Sequence, residues 1–426
     1  MAKPTRGENG NEQSGTPNVF RFNLIGLIAF SLCLIAATAL VAGRLLNPRS
    51  KAISFVANNI PDPDQQDKNT YTRKGPWGEM LVQNIKLERP VEYVVGEVQD
   101  VQPMTWTFQG MTEAQVREQF ISCGLDAGQT AALLAAGKIS TQGGATVVRP
   151  ADDFMLSLTP EVRQKLYSCF YGKGIYSLAD YPYIFPKDSI GTIYADTQLH
   201  EDDVAMLKKL VFRSGDATHL VDYPVLLKSI PTFERRVAMS RSLSRQSAVL
   251  ARLCIRPDSD IDKIAGYWGR MENVRFTNLR PLLEALKELP NGGTISFAYL
   301  LPPFARERLY TYPLPAQPGE PNMDCHWSTF NFSSTQPDNR YNDPNFAVQY
   351  INSNYYEIDQ PNLYGDIILF MNDKKEIKHS AVYVADDLAF TKYGNNYTQP
   401  WMFVRLSNMQ EHYPGLKLYY MRKKTT

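Results

Sequence analysis

Met323-Asp324-Cys325-His326-Trp327-Ser328-Thr329-Phe330, then Tyr364-Gly365-Asp366-Ile367-Ile368-Leu369-Phe370, then Lys378-His379-Ser380-Ala381-Val382-Tyr383-Val384: the reading of this stretch decides the fold. Asp324 is a good N-cap, which makes Cys325 the first residue of a short helix. Trp327 and Phe330, three apart, give that helix an apolar face. Asp366–Phe370 is short and apolar and reads as a strand, and Met371–Glu376 as a polar turn. Lys378–Val384 then alternates, with His379, Ala381 and Tyr383 on one face and Ser380, Val382 and Val384 on the other. Leu388–Lys392, Met402–Leu406 and Leu416–Met421 extend the pattern to an antiparallel meander on which the cysteine helix packs.

A thiol is a useful nucleophile only as thiolate, and a helix N-terminus and a nearby imidazole both favour that form. Cys325 and His379 are therefore the candidate pair. Each also has a plain reading, a small buried hydrophobe for the cysteine and a satisfied structural histidine for His379.

The order Asp324-Cys325, Gly365-Asp366, His379-x-x-Val382-Tyr383 resembles the NlpC-type cysteine peptidases, papain-like domains that cut peptide stems or crosslinks of bacterial cell wall. The match covers about residues 315–426. The resemblance implies that Cys325 attacks an amide or ester carbonyl and that His379 takes and returns its proton. The Cys325 amide and a neighbouring donor would stabilise the oxyanion. It also implies a third polar residue about one strand beyond the histidine. That offset falls on Thr391, with Lys392, Asn395 and Asn396 close by and the choice among them open. His326, where the family has a small serine, reads first as a surface aromatic and otherwise as a contributor to the oxyanion site.

The composition narrows the function classes. The chain has 426 residues, 43% of them apolar, enough for two or three cored domains. Lys and Arg at 45 against Asp and Glu at 44 leave no basic field for nucleic acid. The cysteines (Cys33, Cys123, Cys169, Cys254 and Cys325) form no CxxC or Cys/His ligand cluster, so neither a metal nor another cofactor is expected. Cys123 and Cys169 are free to pair in an oxidising compartment, and the sequence leaves that open.

Taken in order, residues 1–21 read as a disordered tail. Leu24–Gly43 carries no charge over 20 residues, within a transmembrane helix placed at 22–45. Flanking charge does not orient it, and the wall-peptidase resemblance puts the C-terminal domain outside a bacterial cell membrane. Residues 46–104 read as a linker, with a turn-rich run at Pro61–Asp67 and short strands in Pro90–Val101. Residues 105–310 are expected to be a separate, mainly helical domain. Its starts include a capping box at Thr112/Gln115 and a Thr159-Pro160 start. Its carboxylates Glu161, Asp202 and Asp203, and its run Arg235, Arg236, Arg241 and Arg245, read as solvated faces, the arginines otherwise as a contact for an anionic polymer. Residues 311–426 are the papain-like domain.

The fold class expected is thus α+β: one transmembrane helix, a mainly helical middle and a helix-on-sheet C-terminal domain. The function expected is a membrane-anchored cysteine hydrolase acting on cell-wall peptides. Two alternatives stand beside it, an inactive papain-like scaffold and a thiol acyltransferase or amidase on another substrate.

Overall fold

The computed structural model describes residues 70–186, 190–191, 199–215, 217–271, 276–314 and 323–424. The span expected at Leu24–Gly43, the tail 1–21 and the Pro61–Asp67 run lie outside these residues. No helix among the described residues is long and apolar enough to cross a membrane.

A hairpin opens the described chain, β1 (Thr70–Gly75) and β2 (Gly78–Leu87). Next come β3 (Trp106–Gln109), β4 (Ile139–Gln142) and β5 (Ala145–Val148), a small antiparallel sheet in the order β3-β5-β4. Strands β6 (Tyr183–Pro186), β7 (Phe212–Ser214) and β8 (Ala217–Leu220) form another, in the order β6-β8-β7. Strand β9 (Gln246–Ile255) then runs back along β2, from Glu79↔Cys254 to Leu87↔Gln246, and β10 (Gly293–Ser296) completes the order β1-β2-β9-β10. The C-terminal sheet contains β11 (Tyr355–Ile358), β12 (Ile367–Met371), β13 (Ile377–Ala385), β14 (Leu388–Lys392), β15 (Trp401–Arg405) and β16 (Lys417–Lys423). It is antiparallel, in the order β11-β16-β12-β13-β14-β15.

This corrects the expected fold class. Residues 105–310 hold more helix than strand, as expected, but they are not a separate domain, and the protein is α+β with several antiparallel sheets. One hydrophobic core joins Met80 and Val82 of β2, Leu253 of β9, Trp268, Phe297 and Phe304 to Trp327, Val382 and Phe403. A second core takes its members from Val94 to Leu243, including Trp106, Phe120, Phe170 and Leu226. The chain thus makes β2, builds a lobe from residues 91–243, and returns to pair β9 with β2. The real division is a lobe interposed within a sheet, not a boundary near 310. Periodicity shows local elements, but it does not show a pairing across so long a stretch of chain.

Arginines stitch the crossing between lobes. Arg89, with no solvent exposure, donates to Glu97 at 2.9 Å, Ser240 at 2.7 Å and Ser244 at 3.1 Å. Arg241 donates to the Arg89 carbonyl at 2.8 Å, and both Arg241 and Arg245 pair with Glu88. Arg235 forms a bidentate pair with Asp203, which is 3% exposed. The solvated faces expected here are therefore corrected at Asp203 and along this arginine run. A buried carboxylate or guanidinium is tolerated only when paired in this way.

The expected strands in Pro90–Val101 are also corrected, to the helix Val91–Gln99. Val94 and Val98, four apart, are its fully buried residues, a helical period that outweighs the β-branched composition. Cys123 and Cys169 are joined as a disulfide, with Cα atoms 5.6 Å apart. The bond ties the Glu113–Ser122 helix to the Pro160–Phe170 helix.

Candidate functional site

The cysteine helix forms as its residues dictate. It spans Cys325–Phe330, and the Asp324 carboxylate accepts from the Trp327 amide at 2.7 Å. Trp327 and Phe330 enter the core, where burying a ring such as Phe330 contributes roughly 1.5–3 kcal/mol. Ser328 Oγ accepts from Trp401 Nε1 of β15 at 2.8 Å, which fixes the helix on the sheet. Asn331 closes it, donating to the Trp327 carbonyl at 3.0 Å.

Gly365 and Asp366 shape the next turn. Gly365 has φ 96°, and a Cβ there would strike the Met271 sulfur. Asp366 accepts from the amides of Asn362 and Leu363, both at 3.0 Å, and from Arg422 at 2.8 and 2.7 Å. Its role is to hold the loop before β12 against Arg422 of β16.

Cys325 is 4% exposed. Its immediate imidazole partner is His326, so the expected surface aromatic is a member of the site. His326 Nδ1 lies 2.9 Å from Ser380 Oγ, which donates to Thr329 Oγ1 at 3.1 Å. The proton of Ser380 is spent on Thr329, so the imidazole N–H donates to the serine. Burial opposes a charge on His326. The charge interaction with Cys325, a hydrogen bond to its sulfur and the Asp324 carboxylate together outweigh burial and lift the His326 pKa to about 9.

His379 lies on the other face of β13. Its ring stacks on Tyr413 with centroids 4.4 Å apart and lies near Phe370 and Tyr393, while Ser380 points to the cysteine helix. Thr391 Oγ1 is 2.9 Å from His379 Nε2 and donates to the Ser380 carbonyl at 3.3 Å. The threonine proton is used on that carbonyl, so it accepts from Nε2–H. This fixes the tautomer and leaves a lone pair on Nδ1, which is buried and unpartnered. Burial, then the charges of His326, His412 and Lys392, drive the His379 pKa well below its usual value. No hydrogen bond joins Cys325 to His379 among the described residues.

Of the four candidates for the third position, Thr391 is the one that meets His379. Lys392 has no exposure and donates through Nζ to the carbonyls of Gly394 at 3.0 Å and Asn396 at 2.8 Å. Burial lowers its pKa to about 8 against the pull of Cys325 and Asp324. Asn396 Oδ1 accepts from the Thr398 amide at 2.9 Å, and Asn395 lines a cleft. The sequence offers His326 at most as an oxyanion contributor; its pairing with the Cys325 sulfur is what the structure adds. Among the described residues no group of three or more His, Cys, Asp or Glu is placed to hold a metal ion.

No family model matches this chain, and no curated protein or solved structure matches it either.

Proposed function

We propose that this chain is a cysteine hydrolase of amide bonds, acting in the manner of the NlpC-type peptidases on peptides of bacterial cell wall. One observation carries the reading. Two imidazoles flank one region of sheet in opposite protonation states: His326 is held charged beside the Cys325 sulfur, and His379 is held neutral with Nδ1 open. A charged imidazole beside a sulfur at a helix start is the arrangement that a cysteine nucleophile needs, and that half of the contrast supports the reading.

Cys325 attacks the carbonyl as thiolate, forming a carbon–sulfur bond. The His326 imidazolium, as general acid, gives its proton to the leaving amine as the carbon–nitrogen bond breaks. His326, neutral after that transfer, takes a proton from the water that attacks the thioester, whose carbon–sulfur bond then breaks. The acid product then leaves, and the thiolate–imidazolium pair of Cys325 and His326 is restored. The Cys123–Cys169 disulfide supports action on the oxidising side of a membrane.

The test is alkylation of the full-length chain with iodoacetamide, followed by wall-peptide digestion read by mass spectrometry. Cys325 is expected to label far faster than Cys254, whose thiol burial pushes up to about 12. Equal labelling, or no new carboxyl ends in the peptide, removes the hydrolase reading. The low exposure of Cys325 and the complete burial of His379 favour a second reading, a papain-like binding module without turnover. That reading expects wild-type cellular behaviour from Cys325→Ala.

A further inference from the structure

Two cavities meet between the lobes, of about 400 and 970 Å³. They share Tyr181, Tyr183, Asn395, Asn396 and Thr398, and so form one continuous cleft. Their sizes fall in the range of small-molecule sites. We propose that this cleft binds a neutral oligosaccharide, independently of any thiol chemistry.

The cations of the cleft are already engaged. Arg245 is paired with Glu88, and Lys86 Nζ donates to Ser247 Oγ at 2.6 Å. Of its carboxylates two are bound and three, Glu92, Asp100 and Glu411, are exposed on its walls. Glu97 takes two Arg89 bonds, and Asp180 accepts from the Gly172 amide at 2.7 Å. An anionic ligand thus meets more carboxylates than cations on these walls.

Phenol rings and neutral amides remain. Tyr181 is 57% exposed at the junction of the two cavities. Gln399 lines the smaller cavity, and its Oε1 is buried without a hydrogen-bond partner. Tyrosine faces accept the C–H face of a sugar ring, and a side-chain amide both donates to and accepts from hydroxyls. The shared wall is held from behind, because Lys392 Nζ binds the Gly394 and Asn396 carbonyls. The far wall of the smaller cavity includes Tyr393 and Tyr413, the rings that pack on His379. A glycan bound here would lie against the rings that cover His379.

The test is calorimetric titration of the full-length chain with a β-1,4-linked N-acetylglucosamine tetrasaccharide, with tetra-alanine as the peptide control. Saturable binding of the sugar is expected. It should weaken roughly tenfold in Tyr181→Ala and in Asn395→Ala, each at unchanged unfolding temperature. Cys325→Ala should bind as the parent does, so failure here and failure of the hydrolase reading are separable. No saturable sugar binding, equal binding by Tyr181→Ala, or tighter binding of the peptide overturns the proposal.

Discussion

The two faces of the C-terminal sheet treat imidazole in opposite ways. On the cysteine-helix face, His326 sits against a sulfur and a carboxylate, and its proton is retained to a pH of about 9. On the other face, His379 lies among Phe370, Tyr393 and Tyr413, and its burial suppresses charge. Ser380 and His379 are consecutive, so the pleat alone sends one to each environment. Adjacent residues on a strand can therefore serve different chemistry. A histidine's sequence distance from a cysteine says less than which face it occupies.

Four experiments probe that contrast. The largest effect belongs to Cys325→Ala, which should lower wall-peptide hydrolysis about 10³-fold or more, read as product formation. His326→Asn and His379→Asn come next, each about 10²-fold or more if both faces contribute a proton-transfer group. A His326→Asn enzyme with full turnover would confine the chemistry to the His379 face. Thr391→Val keeps the shape of the side chain but leaves Nε2–H buried without an acceptor. It should cost about 1–3 kcal/mol in denaturant unfolding and reduce turnover. Unchanged stability would mean that the threonine does not set the His379 tautomer.

The smallest effect is a slope with pH. The folded pKa of His326, about 9, lies above the ordinary value of 6.5. Its stabilising contribution is therefore full below about pH 6.5 and is lost as pH rises through 9. Unfolding measured from pH 6 to 10 should show this loss, and His326→Gln should flatten it. A similar slope in both proteins would separate His326 from the sulfur.

Much of the local structure is legible in the sequence. The capping box predicted at Thr112 and Gln115 forms, the Thr159-Pro160 start yields the helix Pro160–Phe170, and Asp324 caps the cysteine helix. Strand β14 occupies Leu388–Lys392 as its pattern requires. These are short-range effects, decided by backbone donors and side-chain period. The pairing of Leu87 with Gln246 is of another kind, since each strand is half-read without the other. The site divides similarly. The offset from His379 leads to Thr391, while the partnership of His326 with the sulfur depends on the angle at which the helix meets β13, and packing sets that angle.

The same pairing of Leu87 with Gln246 has an engineering consequence. The chain leaves one strand and re-enters its neighbour at the same rung, so residues 88–245 can in principle be excised and the ends closed by a tight turn. A shortened chain of that kind would keep the Cys325 sheet while losing one bank of the cleft. It would show how far hydrolysis depends on a docked polymer.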